Sequence, residues 1–257
     1  MAIVSRRGLL LAGGTLLLPG CGSDDAQPLP EQPDDGQAQG TCRTPGPLVD
    51  FSSVGTAVLG YEITRGPTTM RADAAFLRRL EAWAADWSDL SGLGRIQSVW
   101  SYGAYVDRCA SFHQVGRAFD FAEVVHDGGS VSCRFDKWQP GTDGQLRDYW
   151  RLAASLHLHF AYTLTYLYNV GHHNHIHVDN SISGDSLSTF SEGSQAQVHL
   201  VQAALRHVFG RDVETTGGYD EQTRSPLREV QRELGISRPL ADTDGWHSFL
   251  RATAARA

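Results

Sequence analysis

The sequence predicts an α+β fold, with a small antiparallel sheet flanked by helices and a C-terminal module of three helices. Helix and strand patterns mix without a regular βαβ beat, and no glycine-rich phosphate loop opens a helix. Beyond roughly Ser191 only helical periodicity remains. The chain has 257 residues, 41% hydrophobic and 20% charged, which suits a soluble globular protein of one medium domain plus a small one. A formal charge of −7 and a pI near 5.8 argue against a nucleic-acid binder. Mean hydropathy is −0.30 and the only long apolar run is at the extreme N-terminus, which excludes a multi-span membrane protein. Eleven histidines against four cysteines hint at metal or acid–base chemistry.

Residues 1–21 read as an export signal: Arg6-Arg7, then a short apolar stretch from Gly8 to Leu18, then Pro19-Gly20-Cys21. The stretch falls short of the ~20 apolar residues that span a bilayer. Ser5-Arg6-Arg7-Gly8-Leu9-Leu10 resembles a twin-arginine signal, and Leu18-Pro19-Gly20-Cys21 resembles a bacterial lipobox. The lipobox implies an acylated Cys21 that anchors the chain to a membrane; an ordinary cleaved signal is the alternative. Residues 22–45 form an expected tether: acidic, rich in proline and glutamine up to Thr41, and without the apolar periodicity that would order it. Outside the cytoplasm a disulfide is permitted. Cys42, Cys109 and Cys133 leave open whether Cys42–Cys109 or Cys109–Cys133 forms.

Residues 46–190 carry the expected main domain. Phe76, Leu77, Leu80, Ala84 and Trp87 line one face of a helix over Asp73–Trp87, with Asp73 placed to cap it. Ile96–Tyr105 and Arg117–Val125 read as strands, with a turn at Asp127-Gly128-Gly129. Gln145–Phe160 reads as an amphipathic helix, and Tyr162–Tyr168 and His175–Val178 as two more strands. In residues 191–257, Val198, Val201, Leu205 and Val208 mark one helix; Thr223, Leu227, Val230 and Leu234 mark another, ended by Gly235. A short third helix opens near Asp244.

Two segments carry chemistry. In Ser111 to Phe121, strand alternation puts Ala118, Asp120 and Ala122 on one face and Phe119 and Phe121 on the other. An aspartate in such a setting is costly to bury without a cation or an arginine beside it. His172-His173-Asn174-His175-Ile176-His177-Val178-Asp179 holds four histidines in six residues, and His175 and His177 share a strand face. Imidazole nitrogens with a carboxylate oxygen suit Zn2+, and three protein ligands with an open fourth position would make a catalytic site. A solvated histidine-rich loop, or histidines serving structure or pH sensing, is the alternative.

The spacing His-x-x-Gly-x-Ala-x-Asp over 113–120, followed by His-x-His at 175–177, resembles the zinc peptidases grouped as lysostaphin, D-Ala-D-Ala peptidase and hedgehog-like proteins. Within that group it is similar to the extensin-like C-terminal domain and to D-Ala-D-Ala carboxypeptidases, over roughly residues 90–180. The resemblance implies zinc held by His113, Asp120 and His177, with His175 as general base or electrostatic stabiliser. It gives His172 the place of an extra histidine in the penicillin-insensitive endopeptidase branch, spaced His-x-x-His-x-His. It gives Arg108 the task of holding a substrate carboxylate or an oxyanion, against a structural salt bridge. A glutamate of the carboxypeptidase branch is replaced by Asn174, which cannot accept a proton. The pattern around Val201–Leu205, Gly218–Thr223 and Val230–Gly235 is similar to peptidoglycan-binding-like domains of cell-wall hydrolases, against a generic helical bundle.

Together these features predict an exported, lipid-anchored zinc peptidase acting on peptidoglycan stem peptides or cross-links, with D,D- or L,D-specificity open. The alternative is a non-catalytic cell-wall-binding lipoprotein with a structural metal site.

Overall fold

The computed structural model describes residues 42–109, 111–160, 162–180 and 187–256. The export signal, Cys21 and the tether up to residue 41 lie outside them. Strands β1 (Leu48–Phe51) and β5 (Met70–Asp73) form a two-stranded antiparallel ribbon. The main sheet holds β2 (Ser53–Val54), β3 (Ala57–Tyr61), β4 (Gly66–Pro67), β6 (Ile96–Gly103), β7 (Ala118–His126), β8 (Gly129–Ser132), β9 (Tyr162–Leu164) and β10 (Ile176–Asp179). Its path runs β2-β3-β6-β7-β10-β9, with β4 beside β3 and β8 beside β7. Every pairing is antiparallel except β3 with β6.

The expected strands at the centre are present, and β1 to β5 and β8 are additional. At two to five residues each they are too short for alternation to register. The strand expected over Tyr162–Tyr168 stops at Leu164, because the Tyr168 amide turns back to the Thr165 carbonyl at 2.9 Å.

Six α-helices complete the described elements: α1 (Ala74–Leu90), α2 (Phe135–Trp138), α3 (Asp143–His159), α4 (Gln195–Ala203), α5 (Glu221–Glu233) and α6 (Thr243–Ala255). The Asp73 carboxylate accepts from the Ala75 and Phe76 amides, each at 3.0 Å, and so satisfies two orphan donors of α1. Thr142 and Gln145 form a reciprocal capping box on α3. A π-helical turn, Ala204–Val208, continues α4, and α6 runs for 13 residues where a short helix was expected.

Phe119 and Phe121 point from β7 into the core, where Trp83 of α1 meets the Phe121 ring edge-on at 4.8 Å. On α3, every residue from Tyr149 to His159 is buried. The far side of α3 receives α6: Arg151 donates to the Ala254 carbonyl at 3.0 Å and reaches the Ser91 carbonyl as well. One apolar core therefore runs from Phe51 through α3 to Trp246, Phe249 and Ala254, across the boundary expected at 190/191. Among the described residues no helix is long and apolar enough to cross a membrane.

The disulfide joins Cys42 to Cys109, and Cys133 is a buried thiol. The final residues of the expected tether are thus fastened to the fold. The Arg43 amide donates to Gln114 at 2.8 Å and its guanidinium lies 4.0 Å above the Phe112 ring.

Candidate metal centre

Asp120 sits in β7 between β6 and β10, where its register partners are Gly103 and His177. The strand alternation that sends Phe119 and Phe121 into the core turns Asp120 to the opposite face. The glycine on one flank adds no side chain, and the histidine on the other brings its imidazole Nδ1 within 2.9 Å of Asp120 Oδ1.

His113 arrives from a single 3-10 turn, Phe112–Val115. Ser111 caps that turn by accepting from the His113 amide at 3.2 Å. Gly116 closes it with φ of 68°, and a Cβ there would stand 2.7 Å from both the Asp73 nitrogen and Leu48 Cδ2. Only glycine fits that backbone and that space. His113 Nε2 lies 3.2 Å from Asp120 Oδ1, while its Nδ1 faces the Ala104 carbonyl.

The three side chains read from the sequence as ligands do meet, with one ligand atom from each and all of these within 4.8 Å of one another. Their outer contacts decide the tautomers. His113 donates Nδ1–H to Ala104, leaving the Nε2 lone pair toward Asp120. His177 donates Nε2–H to Asp179 Oδ2 at 3.1 Å, leaving Nδ1 toward the same carboxylate. Carbonyl and carboxylate partners of this kind orient metal-binding imidazoles. Three acceptor atoms that converge in this way repel unless a positive charge lies among them. A proton supplies it in the bare protein. Burial works against charging His177, but its bonds to Asp120 and Asp179 lift it to about 10. Burial likewise opposes the Asp120 charge, yet His113, His175 and His177 hold that carboxyl well below the usual range. A metal ion among the three donor atoms is the other solution. The cluster of His113, Asp120 and His177 could hold a metal ion.

The remaining histidines divide. His175 Nε2 stands 3.5 Å from Asp120 Oδ1, and its Nδ1 meets the Asn174 side-chain oxygen at 2.6 Å. The His172 ring is 5.1 Å from that of His175 and 5.9 Å from that of His177, with Nδ1 on Asn169 Oδ1 at 2.8 Å. Burial foremost lowers both, His172 to about 2, so both are neutral imidazoles at neutral pH. His173 turns away and packs against Phe135. Side-chain exposures of 12% for His113, 18% for Asp120, 15% for His175 and 9% for His177 make the cluster recessed yet open to solvent.

Arg108 makes no hydrogen bond or ion pair with these side chains. It lies exposed beside Cys109 in the loop after β6, with no side-chain hydrogen bond or ion pair among the described residues. The arginine on the His175 side is Arg134, stacked 5.6 Å from Tyr102, whose ring centre lies 6.2 Å from that of His175. Its charge is already matched by Glu62 at 2.8 Å and by both oxygens of Asp136. Burial raises the Tyr102 phenol, which stays protonated.

Sequence reasoning missed Asp179, Asn169, the Ala104 carbonyl and Tyr102. Alternation would have found Asp179, two residues beyond His177 on the same face of β10. The others depend on loop paths that no periodicity encodes.

Compared with protein-family models, with curated proteins and with solved structures, the chain matches none of them.

Proposed function

We propose that the chain is an exported zinc peptidase that hydrolyses amide bonds in the stem peptides or cross-links of peptidoglycan. The observation that carries the reading is the convergence of His113 Nε2, Asp120 Oδ1 and His177 Nδ1, two of them with their outer nitrogens held by oxygen acceptors. Two imidazoles and one carboxylate are the donor set of a catalytic rather than a structural zinc site. Zinc held there supplies Lewis acidity toward an amide carbonyl and a water nucleophile at neutral pH.

The protein's own groups supply the proton traffic. His175, with Nδ1–H given to Asn174, keeps an acceptor nitrogen on the Asp120 side of the ring. It takes a proton from the attacking water and returns it to the departing amine. Burial keeps it neutral and therefore able to accept. The protonated Tyr102 phenol beside it is a donor of the kind that stabilises an oxyanion. His172 packs behind His175 and supports its ring. A lipid anchor at Cys21 and wall contact through the C-terminal helices would keep this site at the cell envelope.

The test is digestion of purified peptidoglycan with and without a chelator, scored by new amine ends and by fragment mass, beside metal analysis of the protein. One zinc per chain is expected, with amine release that the chelator stops and added zinc restores. His113→Ala and Asp120→Ala should lose both metal and hydrolysis, whereas His175→Ala should lose hydrolysis and keep the metal. Zinc without amine release would favour the non-catalytic wall-binding alternative, and absence of stoichiometric metal would remove both.

A further inference from the structure

We infer that Asn174 is a positioning residue for the proposed hydrolysis: its side-chain oxygen fixes His175 in the Nδ1–H tautomer, so that Nε2 is the acceptor nitrogen beside Asp120. The inference rests on the peptidase reading for its kinetic consequence and on geometry alone for its structural one.

A neutral imidazole carries one N–H and one lone pair, and the hydrogen bond made by one nitrogen decides which is which. His175 Nδ1 is 2.6 Å from Asn174 Oδ1, and an amide oxygen only accepts, so Nδ1 must carry the hydrogen. The lone pair is left on Nε2, 3.5 Å from Asp120 Oδ1. The opposite tautomer would bring an imidazole lone pair against the amide oxygen and an N–H toward the carboxylate. His175 would then hydrogen-bond Asp120 as a donor and lose its capacity as a base.

The same device recurs around the cluster. Asn169 Oδ1 holds His172 Nδ1 at 2.8 Å, the Ala104 carbonyl holds His113 Nδ1, and Asp179 holds His177 Nε2. All four imidazoles thus have one nitrogen committed to an oxygen. Asn174 is the only one of these acceptors adjacent in sequence to its histidine, in the turn that delivers the chain into β10. Its position therefore couples the tautomer to the strand that carries His177. The residue that cannot itself act as a base is in this way the residue that makes its neighbour one.

Asn174→Ala and Asn174→Asp separate positioning from folding. Nitrogen-15 NMR of the histidine rings in metal-free and zinc-loaded protein should show His175 as the Nδ1–H tautomer in the wild type and as a mixture in Asn174→Ala. With purified peptidoglycan as substrate, kcat of Asn174→Ala should fall about 10- to 100-fold. Half-saturation and zinc affinity, the latter read by chelator competition, should stay within about threefold. Asn174→Asp offers the same acceptor oxygen and should recover most of kcat. A wild-type Nε2–H tautomer, or an Asn174→Ala enzyme at full kcat, overturns the inference. So does a loss of zinc affinity that tracks kcat and that Asp fails to repair, since the residue would then be structural. If the wild type binds zinc but releases no amines, the peptidase reading fails, while the NMR comparison still decides whether Asn174 sets the tautomer.

Discussion

An imidazole binds a metal only when a lone pair faces it, so the atoms behind each ring matter as much as the ring itself. Behind His177 stands Asp179, at 3.1 Å and buried. A carboxylate there both fixes the tautomer and raises the electron density that the ring offers. Asp179→Asn keeps the size and removes the charge. Zinc affinity should drop about tenfold or more, measured by competition with a chromophoric chelator, while His175 and the sheet stay in place. An affinity equal to that of the wild type would mean that Asp179 merely fills space. At this scale the sequence was legible where side-chain type and spacing coincide. His113, Asp120 and His177 are separated by up to 64 positions, yet their spacing pattern and the chemistry of N and O donors brought them together. Arg108 was read through its neighbourhood in sequence, and it stands exposed beside the disulfide-bonded Cys109.

Helix α3 shows what periodicity leaves out. Its apolar stripe of Leu146, Trp150, Ala153, Leu156 and Phe160 predicts one face on a core and one in water. Instead α1 packs on one side and α6 on another, and Arg151, His157 and His159 are interior. Polar residues on a helix give no sign of whether water or a second layer will cover them. Arg151 and His159 find partners there, His159 on Asp86 at 2.9 Å, but neither ring nitrogen of His157 has one among the described residues. Burial lowers His157 to about 3, against 6.5 for the free side chain. The unfolded chain therefore takes up a proton below pH 6.5 that the folded chain refuses until about pH 3. Stability from this residue is intact above pH 6.5 and is lost as pH falls toward 3, by about 2 kcal/mol at pH 5. His157→Leu should remove that acid sensitivity and add roughly 1–3 kcal/mol at neutral pH by replacing an unsatisfied group with an apolar one. Urea melts of both proteins between about pH 4 and 8 should differ most at the acid end. Parallel curves would show that His157 keeps a partner in solution.

On the scale of the whole molecule, the sequence separates residues 46–190 from 191–257, and the packing joins them. The difference arises because a change of periodicity marks a change of element type, whereas a domain boundary needs few contacts across it. Here Trp246, Phe249 and Leu250 are fully buried in the same core as Trp83 and Phe121, and Arg151 of α3 hydrogen-bonds the Ala254 carbonyl near the end of α6. A chain ending at residue 190 would uncover the α6 side of α3, where His157 meets Trp246, and would strip the Arg151 guanidinium of an acceptor in a formerly buried place. Burial of a large apolar side chain contributes about 1.5–3 kcal/mol, so losing Trp246, Phe249 and Leu250 alone removes roughly 5–9 kcal/mol, comparable to the whole stability of an ordinary domain. Truncation to residues 42–190 should therefore abolish cooperative unfolding and zinc binding together, although His113, Asp120 and His177 all remain in the fragment. Calorimetry and chelator competition on the fragment check this. A sharp thermal transition with wild-type zinc affinity would restore the two-domain division, and the C-terminal helices would then be an appended module rather than the second wall of the core that holds the sheet carrying Asp120 and His177.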